Sequence, residues 1–434
     1  MGGHLLAEAA DSDEPAQELP GGGRRFLFIG GPFGPFFRQL ARLLQEQGAE
    51  VLHINMHGSD FLDWGVRDAV TYRGRLAGWP VWLIALMDKQ GFTDIATYGD
   101  CGAYARVGLA EAARRGMVQH VFELGYLRPN WVTLDRNGVN GFSSLPRTAD
   151  CYWNAPESTA DPEVCLGRLM PFHVGYTITH CMAHYVGKAF FWSYQSGWPS
   201  SPLKQALGYI MRVSVDKLTW RRQRKAERDV LCQEPPFFLV ALQKSGDTQI
   251  KEHSDFPDVV AFIDHVTESF AEHAPVDAHL VFKAHPLDYG IEPQGRAVRR
   301  AEQKYGLQGR LVFLPTGTLS DLMEKAAGMV TLNSTAGLSA ITKNLPTIVL
   351  GRAFYKVAGL VSCGNLAAFW QNPEPPNEAL IKRFRDVAIA RTQINGSFYS
   401  PRGRRMALPV AAKRMLERMP EIQPVKPCSG KKPG

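Results

Sequence analysis

This sequence has no apolar stretch that approaches the roughly 20 residues needed to span a bilayer. The longest candidate, Trp79 to Met87, falls far short. The opening residues are Gly-rich and acidic and lack the basic-then-apolar order of a signal peptide. These two absences predict a soluble or peripheral protein. The seven cysteines are odd in number and contain no C-x-x-C pair. That argues against a disulfide framework and fits a reducing cytoplasm. Also absent is a dinucleotide fingerprint: the first glycine turn, Gly30-Gly31-Pro32-Phe33-Gly34-Pro35, has the wrong spacing and two prolines. His180 and His184 are four apart, as helical metal ligands would be. No Glu follows His180 and no third ligand is evident, so no metal is expected. No internal repeat of fixed period is present.

What is present is globular. Hydrophobic residues make up 45% of the 434 and charged residues 21%, enough for two domains with sizeable cores. The net charge of +7 is concentrated in two places. Residues 402–434 hold nine Lys/Arg against two Glu, and Arg212 to Arg228 holds seven basic residues against two acidic ones. The rest of the chain is therefore mildly acidic. Such local excess suits an anionic surface, lipid or nucleic acid. The basic residues lack a recognised nucleic-acid reader motif, so no nucleic-acid partner is expected. The segment carrying Arg212, Lys217, Arg221, Arg222, Arg224, Lys225 and Arg228 reads as a basic helix with Val213, Val215, Leu218 and Trp220 interleaved. That pattern suits a helix lying on anionic lipid and equally a solvated interdomain helix.

Strand and helix alternate along the chain. Arg25–Ile29, Val51–Ile54, Asp94–Tyr98 and Val118–Phe122 read as strands of a first α/β unit. Residues 132–201 look irregular and aromatic-rich, with ordered loops at 137–141 and 143–147. A second α/β unit starts near Pro235, with strands at 237–242, 279–282, 310–313, 328–332 and 347–350. A helix capped by Asp255 is expected between the first two of these. The expected organisation is a flexible leader 1–23, an N-terminal α/β domain 24–230, a C-terminal α/β domain 231–400, and a basic tail 401–434. Two Rossmann-like domains facing across a cleft is the plan of a GT-B glycosyltransferase, although alternation alone is shared by many enzymes.

Ligands of open α/β sheets sit at the carboxyl ends of strands. Two such ends stand out: Lys283-Ala284-His285-Pro286 and Asn333-Ser334-Thr335-Ala336-Gly337. The first offers a ring donor on a backbone restricted by Pro286. The second offers hydroxyls and a helix N-terminus. Singly, each reads as a buried His or an ordinary helix cap. Together they favour a phosphate cradle. Gly30 and Gly31 allow close backbone approach to a ligand. Asn55, at the second strand's end, is a contact candidate or a plain turn residue. Two carboxylates lie at strand ends beside glycines: Glu123 and Asp247. Either suits acid/base work; a structural ion pair of Glu123 with Arg128 accounts for the former as well.

The runs FIGGPFGPFF…HINMHG, ELGYLRP, GVNGFSSLPR, LQKSGDTQI, KAHPLD, LNSTAGLSA and TQINGSFYS occur in order over roughly residues 25–405. This set resembles the capsule polysaccharide biosynthesis and export family of the KpsS/LipB type. The resemblance implies a retaining, metal-independent β-Kdo transferase that uses CMP-Kdo as donor and needs no cofactor. Its acceptor would be a phosphatidylglycerol-type lipid at the cytoplasmic face of the inner membrane, and its partners a capsule assembly and export complex. It is equally described as an export factor, which leaves a non-catalytic coupling role as the alternative. Related CMP-sugar enzymes share an acidic pair before glycine, a His-Pro and a Ser/Thr pair. By resemblance His285-Pro286 and Ser334-Thr335 would hold the cytidine monophosphate, with Lys283, Asn333 and Gly337 beside them. The acidic mark departs, with Leu124 in place of the second acid. That leaves Glu123 as the motif's one carboxylate and Asp247 as a candidate nucleophile. Kdo and sialic acid both travel as CMP sugars, and these motifs do not separate them.

Overall fold

The computed structural model describes residues 20–156, 162–196, 202–232, 236–245, 248–286, 288 and 294–417. Strand β1 (Arg25–Ile29) is buried along nearly its whole length, as a central parallel strand covered on both faces should be. Its alternate side chains feed two cores. Phe26 and Phe28 pack with Phe36, Leu40 and Leu44 of the helix Phe36–Glu46. Leu27 and Ile29 pack with Leu83 and Leu109 on the other face. Around β1 lie β2 (Glu50–Asn55), β3 (Ala69–Thr71), β4 (Asp94–Tyr98) and β5 (Val118–Leu124), parallel and in spatial order β5-β4-β1-β2-β3. A sixth strand, β6 (Trp131–Asp135), pairs antiparallel with β5.

The second lobe is a parallel sheet of β7 (Phe237–Ala241), β8 (His279–Lys283), β9 (Leu311–Leu314), β10 (Gly328–Thr331) and β11 (Thr347–Val349). Its order is β11-β10-β7-β8-β9. The chain then returns to the first lobe. β12 (Gln393–Asn395) pairs antiparallel with β6, and the helix Pro401–Leu416 packs on Phe36–Glu46. This is the two-lobed GT-B plan expected from the alternation. Between the lobes the rings of Tyr126 and Phe354 stack at 3.6 Å, and Arg147 donates to the Ala353 carbonyl at 2.6 Å.

Three expectations change. The stretch 132–201, expected to be irregular, includes most of β6 and the 18-residue helix Met170–Gly187. The stretch 401–434, expected as a basic tail, is helical over Pro401–Leu416, and β12 places the end of the expected second domain on the first sheet. Charge counting missed this because Arg402, Arg405 and Lys413 sit on the outer side while Ala407, Ala411, Ala412 and Met415 are buried. Finally, Asp258 rather than Asp255 caps the helix Val259–His273, its Oδ1 accepting from the Ala261 amide at 2.8 Å. Of the expected leader, residues 1–19 lie outside the described residues.

The first lobe is held by buried charge as well as by apolar packing. Asp94 is fully buried; it accepts from Arg24 Nε at 2.8 Å and from His120 Nε2 at 2.7 Å. Against the penalty of burial, these bonds hold its carboxyl down to about 2. Burial pushes the His120 ring down to about 4, outweighing the Asp94 bond. Burial, followed by His180 and His184, pushes His57 down to about 3. Both imidazoles are therefore neutral in the folded chain at pH 5 and protonated in the unfolded chain. Unfolding takes up protons, so stability is full above the ordinary value of 6.5 and declines as the pH falls toward 4. Acidification from pH 7 to 5 is expected to remove about 2 kcal/mol for each ring. Thermal melts across that range measure it, and His120→Gln should flatten part of the slope. A melting temperature independent of pH would contradict this account.

Candidate active-site cleft

Strand β7 is flanked by β8 and β10, so their three exits adjoin at one edge of the second lobe. Gln243, just past β7, donates from Nε2 to Asn333 Oδ1 at 2.6 Å. Gln294 donates to the Gln243 carbonyl (2.9 Å) and to Ser245 Oγ (3.1 Å), pinning the same corner. Ser334 caps the helix Thr335–Thr342, its Oγ accepting from the Ala336 amide at 3.2 Å. Gly337 is required there by close packing, since a Cβ would stand 2.2 Å from the Tyr355 hydroxyl. The structure thus brings His285-Pro286 and Asn333-Ser334-Thr335-Gly337 to the strand exits on either side of β7, beside a helix N-terminus of the kind that favours anions. Asp247 lies outside the described residues.

Two basic residues are placed differently from expectation. Lys283 is buried; its Nζ donates to the Ala284 carbonyl at 2.9 Å. Its charge is felt by Arg212, Glu227 and Asp216, all on the long helix Pro202–Cys232. Burial brings it down to about 8, followed by repulsion from Arg212. Arg212, expected to face lipid, instead turns inward. Its guanidinium donates to the carbonyls of His285 (3.1 Å), Pro315 (2.9 Å) and Asp288. It therefore braces the backbone of the His-Pro corner. The reason is its place in the helix, where it meets the exits of β8 and β9. The other six basic residues, Lys217, Arg221, Arg222, Arg224, Lys225 and Arg228, are exposed. Arg212→Ala leaves carbonyls without a charged donor, a loss of about 1.5–3 kcal/mol per bond to a charged group. It is expected to weaken CMP binding about ten-fold or more, read by calorimetry. Unchanged affinity would remove Arg212 from the corner's support.

The first lobe contributes the exits of β4 and β5. Glu123 is half-buried at the end of β5, and its Oε1 accepts from the Leu124 amide at 3.2 Å. Tyr98, at the end of β4, is pushed well above its ordinary value by burial and by Tyr399 and Glu123. Arg128 acts on Tyr98 and Tyr399 from this lobe and also on His285 from the other. The His285 ring falls to about 4, through burial first and Arg128 second. The charge of Arg128 is thus felt both at Tyr98 and Tyr399 and at His285. In the sequence it appeared as a possible ion-pair partner of Glu123; its position in the β5 exit, two residues past Tyr126, was the available signal.

Other candidates fall elsewhere. Gly30 and Gly31 do not join the His285 corner. They line a small first-lobe cavity with His53, His57, Asp60 and His180. Their location follows from β1, whose exit opens among first-lobe elements. Asn55 is absorbed by its turn, donating to the Gly65 carbonyl at 2.8 Å and standing 3.0 Å from His53 Nδ1. His180 stands 3.2 Å from Ser59 Oγ. Among the described residues, Asp100, Cys101 and His253 bring three ligand-type atoms within 4.8 Å of one another. The Cys101 thiol donates to Asp100 Oδ1 at 3.1 Å, and His253 Nε2 lies 3.5 Å from that sulfur and 3.8 Å from the carboxylate. Burial, then Asp100, pushes the thiol far up, so it stays protonated. This group joins the β4 exit to the second lobe. Sequence reasoning passed over it, because 152 residues separate Cys101 from His253.

Residues 93–399 match the sequence profile of the family described as capsule polysaccharide biosynthesis protein. The chain belongs to the capsule polysaccharide biosynthesis family. The capsule polysaccharide export protein KpsS of Escherichia coli is 32% identical over 386 residues, covering 87% of this chain and 97% of that protein. The capsule polysaccharide modification protein LipB of Neisseria meningitidis serogroup A is 32% identical over 409 residues, covering 88% and 94%. Among solved structures, the β-Kdo 2,7 transferase KpsC of Thermosulfurimonas dismutans aligns over 91% of this chain and 98% of that one, at 14% identity and a TM-score of 0.44. The residues matched by the family profile include Glu123, Arg128, His285 and Ser334-Thr335.

Proposed function

We propose that this capsule-family protein is a retaining, metal-independent glycosyltransferase that moves Kdo from CMP-Kdo onto a phosphatidylglycerol-type lipid, starting the capsule linker. The observation that carries it is the charge of Arg128, at the β5 exit beside Glu123, reaching His285 at a strand exit of the other lobe, whose Ser334-Thr335 helix start lies at a further exit. In this reading the helix N-terminus and His285 hold the CMP phosphate. Because burial keeps the imidazole neutral near pH 7, it acts as a hydrogen-bond donor and not as a counter-charge. As the sugar–phosphate bond breaks, positive character develops on the sugar ring and negative charge on the departing phosphate. Arg128 supplies the nearby cation. Glu123 accepts the proton of the lipid hydroxyl. Retention follows from attack by Asp247 and a second displacement, or from front-face attack. The protein would work at the inner face of the cytoplasmic membrane beside the capsule assembly and export complex. Among the described residues no helix is long and apolar enough to cross a membrane.

The test is direct. Purified protein is incubated with CMP-Kdo and phosphatidylglycerol vesicles, and CMP and Kdo-lipid are followed by mass spectrometry. Both products should appear together. A folded protein that binds vesicles and donor yet forms neither would overturn the proposal in favour of non-catalytic export coupling.

A further inference from the structure

The helix Met170–Gly187 contains no Asp, Glu, Lys or Arg over 18 residues, and none of its residues is fully buried. One side is packed on the first lobe. Gly187 meets Gly58 so closely that a Cβ on Gly58 would stand 2.7 Å from the Gly187 Cα. His173 stacks on Tyr399 at 4.5 Å, and the Tyr176 hydroxyl accepts from Arg404 at 3.2 Å. The other side presents Met170, Val174, Ile178, Met182 and Val186, about one per turn, each between 47% and 79% exposed. Phe190 and Trp192, 64% and 69% exposed, follow within five residues of the helix end. A contiguous apolar face of this extent in water marks an interaction surface.

Charge identifies the partner. Exposed Arg168 and Lys188 stand at the two ends of the uncharged stripe. The next helix carries seven exposed Lys/Arg among its described residues, along with exposed Met211, Val215, Leu218 and Trp220. An apolar face with terminal aromatics, framed by cations, fits the interfacial zone of an anionic bilayer. The stripe is one-sided and about 24 Å long, at 1.5 Å per residue, so it would lie along the surface and not cross it.

The N-terminal end of the same helix opens into a pocket of about 160 Å³. Leu124, Arg128, Trp131, Met170, His173 and Tyr399 are among its walls. Met170 thus belongs to both the stripe and the pocket, and Arg128 to both the pocket and the catalytic cleft. The path runs from an apolar rim to a guanidinium, which matches a lipid entering with its phosphate first.

We propose that Met170–Gly187 is an in-plane membrane helix, and that the adjoining pocket takes the phosphate headgroup of an anionic phospholipid from that bilayer. The headgroup's orientation toward Glu123 rests on the transferase reading; the docking itself does not.

The test uses full-length protein and vesicles of phosphatidylcholine alone or mixed with phosphatidylglycerol. Wild type should co-sediment with the mixed vesicles. The Ile178→Glu/Met182→Glu double variant should bind them about ten-fold more weakly or worse, with circular dichroism and CMP binding unchanged. Undiminished vesicle binding by a folded double variant would overturn the docking face. So would a shift from dimer to monomer with vesicle binding intact, which would make the stripe an interface between copies. The pocket is tested with soluble dihexanoyl phosphatidylglycerol by calorimetry. Wild type should bind it, and Leu169→Trp, which fills the rim, should not. Equal affinity in both would overturn the pocket. Vesicle and short-chain lipid binding without Kdo transfer would sink the transferase reading alone and leave this site standing.

Discussion

His285→Ala is expected to slow CMP release from CMP-Kdo about 100-fold or more, the loss seen when one preorganised donor to a developing anion is removed. The ring sits at the exit of β8, on a backbone that Arg212 braces through the His285 carbonyl. It stays neutral down to about 4, because burial and Arg128 both disfavour the charged form. Across pH 5–8 its donor N–H is therefore constant, and it should add no limb to the rate profile there. Arg128→Ala removes one of the two leading causes of the shift. The His285 titration should then move up toward the ordinary 6.5, a displacement that NMR of the ring proton reads directly. If the folded His285→Ala protein turns over at the wild-type rate, the donor site lies elsewhere.

A chain ending at Ser400 is expected to fail to fold, whereas one ending at Glu417 should purify as a monodisperse protein. The helix Pro401–Leu416 buries Ala407, Leu408, Ala411, Ala412 and Met415 against the first lobe. Removing it exposes Phe36, Leu40 and Leu44 from the other side of the same core. Full burial of each larger side chain contributes about 1.5–3 kcal/mol, so several such losses together rival a domain's whole net stability. The loss also strips partners from Arg24, which donates to the Met415 and Leu416 carbonyls at 3.1 and 3.2 Å while it neutralises Asp94. Soluble expression, light scattering and circular dichroism of the two chains decide the matter. A cooperative melt in the chain ending at Ser400 would show that the helix is an accessory.

Nine strands were legible in the sequence because each is an apolar run buried on both faces of a parallel sheet, bounded by turn residues. β3 (AVT) and β12 (QIN) were not: each is three residues at a sheet edge and, unlike the equally short β11, lies outside an apolar run. β6 (WVTLD) was missed although Val132 to Asp135 alternates as a strand does, because the run is only five residues long within an aromatic-rich stretch. The strand-exit rule singled out His285, Ser334 and Glu123 as candidates, and the structure places them at strand exits, since position at a carboxyl end is a local property. It could not find Arg128 as a charge felt at His285 or His253 as a partner of Asp100. Those depend on which exits face one another, which no window of sequence encodes. Charge misled in the same way for Arg212. Seven basic residues on one helix look alike in sequence, yet one of them points inward to three carbonyls.

The pairing of β12 with β6 has a consequence for synthesis on the ribosome. When the second lobe's five strands have emerged, β6 still presents an open edge, and the face of Phe36–Glu46 that the last helix covers is still bare. An exposed edge strand beside an uncovered apolar helix is a template for mispairing. The first lobe begins the polypeptide but is completed last, after nearly 400 residues have been made. Its vulnerability during translation thus lasts from the emergence of β6 to that of β12, and a holding chaperone should engage the nascent chain well before the helix Pro401–Leu416 appears.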